Sequence, residues 1–216
     1  MAKAIGLIGG TGPEGKGLAA RFARAGLEVF IGSRAAERGA EAAQEVETLS
    51  GAKVRGGANA EAARRGAVVI VTLPYAGLYE TMKPLASALV DRIVVSTVAP
   101  LQFGGGRVGL LATERGSAAE DLQLILPQAL VAGAFQNLAA HKLSDLSQPV
   151  DADVIVCSDH PTALGEVMDL AGLIEGVRGV NGGPLANSRY VEGITALLVS
   201  INRIHRAETH IRIVGI

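Results

Sequence analysis

The chain has 216 residues, 49% hydrophobic and 19% charged, with a formal net charge of -1 at pH 7. That length suits one large core with a small appendage, and the near-neutral balance lacks the basic surface a nucleic-acid binder needs. Apolar runs such as 67–73 are too short to cross a bilayer, no signal-peptide pattern opens the chain, and the single cysteine, Cys157, excludes an internal disulfide, so a cytoplasmic protein without nucleic-acid or membrane partners is expected.

In chain order, runs rich in Val and Ile at 4–8, 28–31, 67–72 and 92–97 are bounded by turn residues and read as buried parallel strands. Amphipathic, Ala-rich stretches at 15–25, 35–49, 60–64 and 77–89 alternate with them and read as helices. Such alternation winds right-handed crossovers onto a parallel sheet. Residues 100–109 form the most glycine-rich stretch and read as a loop, a candidate lid. Strands at 130–134, 153–157 and 177–180 extend the sheet, with helices at 117–126 and 162–173. Cys157 falls in one of these strands, where it serves as a small buried hydrophobe. After Asn181-Gly182-Gly183-Pro184, residues 185–206 carry one long helical pattern with apolar positions at Ile194, Leu197, Leu198, Ile201 and Ile204.

The first strand runs directly into Gly10-Thr11-Gly12-Pro13-Glu14-Gly15, and a helix follows. In that setting a G-x-G-x-x-G pattern has a mechanism: the first glycine permits the tight turn, the second lets a pyrophosphate approach the backbone, and the third lets helix and strand pack closely. The unpaired N–H groups of the helix start then face the phosphates, and Thr11 adds a hydroxyl. At the end of the second strand an NAD enzyme places an acid on the ribose. Here Ser33 and Arg34 stand at that point, and Arg38 follows one helical turn later. A guanidinium takes a 2′-phosphate through paired, charge-assisted hydrogen bonds, which selects NADP. The expected fold is α/β, a Rossmann-type doubly wound, mainly parallel sheet with a C-terminal helical extension. Residues 1–181 are expected to form the NADP-binding domain. Residues 182–216 are expected to supply a helix and a final strand that complete a substrate cleft and the contact of a homodimer.

No other chemistry competes. His141, His160, His205 and His210 lack metal-ligand spacing, so no metal site is expected. The chain has no G-x-S-x-G elbow, and Gly15-Lys16 continues to Gly17 instead of the hydroxyl residue of a P-loop. Hydride exchange between two flat rings needs alignment and dryness more than a proton relay, so no catalytic side chain is assigned.

With these residues in view, the chain resembles the NADPH-dependent coenzyme F420 reductases, the F420-dependent NADP oxidoreductases. The likeness is carried by Ile8-Gly9-Gly10-Thr11-Gly12 with Gly15-Lys16-Gly17-Leu18-Ala19, by Ile31-Gly32-Ser33-Arg34, by Gly183-Pro184-Leu185-Ala186-Asn187-Ser188-Arg189, and by Ile211-Arg212-Ile213. The resemblance implies reversible hydride transfer between NADPH and the deazaflavin coenzyme F420. It implies that Thr11, Gly12, Pro13 and Glu14 contact the pyrophosphate. Leu73, Pro74, Tyr75, Ala99 and Ala140 would border the nicotinamide, and Gln136, Asn137 and Leu185 the second substrate. Gln136 stands where relatives often carry histidine, Tyr75 where some carry tryptophan, and Asn181-Gly182-Gly183 where an Asp-Ala-Gly type is frequent. Two other readings share the same scaffold: an NADPH-dependent reductase of an imine, flavin or metal chelate, and an NADP-binding sensor without turnover.

Overall fold

A computed structural model describes residues 4–216. Strands β1 (Ala4–Ile8), β2 (Glu28–Ser33), β3 (Val54–Ala58), β4 (Val68–Val71) and β5 (Ile93–Ser96) alternate with helices α1 (Pro13–Arg24), α2 (Ala36–Ser50), α3 (Asn59–Arg65) and α4 (Leu78–Met82). A hairpin of β6 (Leu101–Gly104) and β7 (Arg107–Leu110) leads to α5 (Ala118–Ile125), β8 (Leu130–Gly133) and α6 (Ala140–Ser144). β9 (Ala152–Ser158), α7 (Pro161–Gly172), β10 (Val177–Asn181) and α8 (Ser188–His205) complete the order.

Eight strands form one sheet in the order β10-β9-β8-β5-β4-β1-β2-β3. Every neighbouring pair is parallel except β8 with β9. This is the expected Rossmann-type sheet, with strand order reversing beside β1, so that a crevice opens between β1 and β4 at their carboxyl ends. Both faces are covered. Ile5, Leu7, Ile31, Ile70 and Val95 join one apolar cluster, and Ile8, Val69, Val71 and Val94 the other. Burial on two faces explains why these strands read as unbroken aliphatic runs.

The structure departs from the sequence reading in four places. β3 was not foreseen because Val54-Arg55-Gly56-Gly57-Ala58 looks too rich in glycine; those glycines serve packing. A Cβ on Gly56 would lie 2.0 Å from the Gly39 carbonyl oxygen, so α2 rides on β3 backbone to backbone. The helix expected at 77–89 ends at Met82, and Lys83–Leu89 continues as a 3-10 helix, since Pro84 cannot donate the α-helical hydrogen bond. Residues 100–109 form most of the β6–β7 hairpin and not an open loop. The final strand is also absent: beyond α8 the chain lies beside β9, where the Asp153 N–H donates to the Ile211 carbonyl, without entering a ladder.

That terminal segment is held by charge. The fully buried Asp153 accepts from Arg178 Nη2 at 2.7 Å, from Arg212 Nη1 at 3.0 Å and from the Ile213 N–H. These donors, led by Arg178, hold its carboxyl down at about 2 against the pull of burial. Helix α1 is fixed as firmly. Arg21, 5% exposed, donates to the carbonyl oxygens of Leu143, Lys142, Asp145 and Gln148. The next residue, Phe22, meets Phe135 edge to face at 6.1 Å. No helix among the described residues is long and apolar enough to cross a membrane.

Candidate functional site: a dinucleotide cleft at the strand ends

The carboxyl ends of β1, β2 and β4 enclose a cleft of about 620 Å³ lined by Thr11, Gly12, Pro13, Glu14, Gly15, Ser33, Arg34, Arg38, Leu73 and Pro74. Most residues singled out in the sequence therefore meet in one place. Each glycine has its own task. Gly9, not Gly10, takes the left-handed conformation of the turn, with φ 73°. Gly10 is needed for room, since its Cβ would lie 2.8 Å from that of Leu7. A Cβ on Gly15 would stand 2.6 Å from the Gly10 Cα, so α1 can approach the turn only without one. A Cβ on Gly12 would meet no protein atom within 4 Å; it would project into space a ligand can use.

Two hydrogen bonds fix the turn. Gly10 N–H donates to Gly32 O at 3.1 Å, joining it to β2, and Gly9 N–H donates to Asn59 Oδ1 at 3.1 Å. Asn59, buried at the start of α3, also lines the cleft, as do Gly9, Ala35 and Thr72. Sequence reasoning missed these four. Asn59 follows a strand that was itself overlooked, so nothing in the pattern pointed to it.

Helix α1 starts at Gly12 with no side-chain cap and Pro13 in its first turn; its first intrahelical bond runs from Lys16 N–H to Gly12 O. Its opening N–H groups therefore remain available to an anion. Helix α2 likewise begins at Ala35 without a side-chain cap, with Arg34 just before it and Arg38 in its first turn. Ser33 is buried at the end of β2, and both arginines are exposed; none of the ion pairs among the described residues involves either guanidinium. No carboxylate lines this side of the cleft.

Glu14 behaves differently from its neighbours. Its Oε1 is shielded from solvent and has no hydrogen-bond partner. Burial raises its carboxyl to about 7, with the Thr97 hydroxyl acting in the opposite sense.

The remaining predicted positions divide. Leu73 packs over the turn, its Cδ2 2.3 Å from where a Gly9 Cβ would sit. Tyr75 turns away into an adjoining cavity of about 530 Å³, where its hydroxyl donates to Asp121 Oδ2 at 2.7 Å. Burial and the Asp121 carboxylate push that phenol up to about 12. Ala99 lies between β5 and the hairpin, partly exposed, and Ala140 opens α6 against Gly17 of α1. Gln136 follows β8 and is 6% exposed, and neither polar atom of its amide has a partner. The amide lies outside the residues that line the cleft. Asn137 is spent inside the fold, its Nδ2 donating to Val191 O and Thr195 Oγ1 of α8 at 3.0 and 2.9 Å. Leu185, 2% exposed, sits in the apolar core below.

Comparison with known proteins converges with this geometry. Residues 4–100 match a family model described as "NADP oxidoreductase coenzyme F420-dependent". F420-dependent NADP reductases from Methanothermobacter thermautotrophicus and Methanocaldococcus jannaschii are each 40% identical, the alignments covering 94% and 98% of this chain and 90% and 98% of theirs. Among solved structures, an Arthrobacter sp. FB24 protein named provisionally as an F420-dependent NADP reductase superposes with a TM-score of 0.84 at 22% identity over the whole of both chains. An imine reductase from Bacillus cereus gives 0.64 at 14% identity, over 94% of this chain and 63% of its own; these two likenesses are of fold. With a shared sequence over nearly its full length, the chain belongs to the F420-dependent NADP reductase family.

Proposed function

We propose that the protein transfers hydride between NADPH and the deazaflavin coenzyme F420. The carrying observation is the pair of uncapped helix starts, α1 and α2, facing one cleft with two unpaired arginines beside them, in a chain 40% identical to named reductases of this type. The backbone of Gly10 to Gly15 and the Thr11 hydroxyl would hold the pyrophosphate, and Ser33, Arg34 and Arg38 the 2′-phosphate. Leu73, Pro74, Ala99 and Ala140 would wall the nicotinamide and keep water out, while Tyr75 braces that wall through Asp121. Gln136 supplies the free amide for the second substrate; Asn137 and Leu185 position it from behind.

When bound, the reduced nicotinamide supplies the hydride, and the chain contributes orientation and a dry surface. The test follows deazaflavin absorbance with purified protein and NADPH. Bleaching that NADH supports only weakly is expected. Tight NADPH binding with no bleaching at any pH, but turnover of an imine or free flavin, would overturn the choice of acceptor. A homodimer belongs to the same proposal: Tyr190, Leu197 and Ile204, 67%, 58% and 75% exposed, form an uncovered stripe along α8. Light scattering that returns a monomer at micromolar concentration would refute it.

A further inference from the structure

We propose that Glu14 sets the balance between oxidised and reduced nucleotide in this cleft, by facing the half that receives the nicotinamide with a carboxyl group whose Oε1 no protein atom engages. The inference rests on the nucleotide reading above. The sheet order puts β2 on one side of β1 and β4 and β5 on the other. If Ser33 and Arg34 at the end of β2 take the 2′-phosphate and the turn after β1 takes the pyrophosphate, the rest of the molecule must run over β4 and β5. Glu14 lies on that side. It lines the cleft from the first turn of α1, and its carboxyl reaches Thr97, the residue after β5.

The two redox states differ in the charge of one ring: the oxidised nicotinamide is a cation and the reduced ring is neutral. A carboxylate beside it favours the oxidised form, whereas a neutral carboxylic acid has little preference. Burial keeps the Glu14 carboxyl near 7, so both forms are populated around neutrality. No neighbouring charge masks the effect. On α1, Lys16 is paired with Glu45 at 2.6 Å. The ends of β4 and β5 present the hydroxyls of Thr72 and Thr97, both donating to backbone carbonyls. On α6, the exposed His141 turns to Glu208, and Lys142 lies toward Asp145 and His210. Arg34 and Arg38 stand across the cleft, beyond β1.

The experiment measures the dissociation constants of NADP+ and NADPH for the wild-type protein by calorimetry at pH 6, 7 and 8, and takes their ratio. Ionisation of the 2′-phosphate, near about 6, is common to both forms and cancels. The preference for NADP+ over NADPH should rise about tenfold across this range, as expected for unit charges a few ångströms apart in a partly shielded site. In Glu14→Gln the ratio should be flat. A flat ratio in the wild type, or an unchanged slope in Glu14→Gln, would overturn the inference while leaving NADP binding intact. Glu14→Leu gives the same readout if the glutamine variant does not fold. Failure of both nucleotides to bind the wild type would instead remove the nucleotide reading, and this inference with it.

Discussion

The N-termini of α1 and α5 each meet a glutamate, yet one end is open and the other is closed. At α5, the Glu192 carboxylate reaches across from α8 and accepts the N–H groups of Ala118 and Ala119 at 2.9 and 3.2 Å. Ser117 caps Glu120, and Asp121 collects the N–H groups of Glu114 and Arg115. At α1 the glutamate belongs to the helix itself, caps nothing, and leaves the opening N–H groups facing a cleft. Burial raises both acids to about 7. Acid in the first turn does not separate the two ends, since both have it, but the local cap does: Ser117 opens α5 with a hydroxyl that accepts from the Glu120 N–H, whereas Gly12 opens α1 with none. A distant side chain, Glu192, then satisfies two further donors at α5. Helices α4, α6, α7 and α8 also start uncapped; what sets α1 apart from them is that its open end faces the cleft at the strand ends.

Substitutions can break or sharpen this contrast. The largest effect is expected from Glu192→Ala, which strands two buried N–H groups and should cost about 3 kcal/mol of stability. Chemical denaturation reads it, and a loss under 1 kcal/mol would mean that the α5 end does not need its cap. Arg34→Ala should leave stability alone and weaken NADPH by roughly ten- to a hundredfold, about 1.5–3 kcal/mol for a charge-assisted contact, with NADH unaffected; equal weakening of both would remove Arg34 from the 2′-phosphate. Gly12→Ala adds a methyl that meets nothing in the protein. Its melting temperature should stay put while dinucleotide affinity falls by about 1–2 kcal/mol, the size of a small overpacking penalty. A pH profile gives the last test. The Glu192 carboxyl is raised in the folded state from 4.5 to about 7, so its contribution is whole below 4.5 and is lost as pH rises through 7. Thermal stability should therefore decline between pH 5 and 8, less steeply in Glu192→Gln. Parallel profiles would show that the carboxyl does not titrate there.

The same contrast explains what the sequence could tell. The glycine turn, α1 and the Ser33-Arg34 segment were legible because their function lies in backbone geometry and in residues consecutive along the chain. The side-chain half was not. Tyr75 looks like a cleft residue until Asp121, 46 positions later, claims its hydroxyl. Asn137 looks like a ligand contact until α8 takes its amide. Gln136 was singled out only through family resemblance, and Asn59 through nothing at all. Glycine misled in one place and informed in another: at 9–15 it marks a turn, at 56–57 a strand pressed against a helix. Distinguishing the two requires knowing what packs above.

The clamp on α1 bears on how far this protein can be divided. The family match ends at residue 100, which invites treating the first five strands as a portable nucleotide-binding module. The carbonyls gathered by Arg21 come from residues 142–148, and the ring beneath Phe22 is Phe135. Cut away from them, α1 would keep a guanidinium without acceptors in an apolar setting. The glycine turn and α1 can be transplanted only together with their anchor, and grafts between members of this fold should exchange the two segments as a pair.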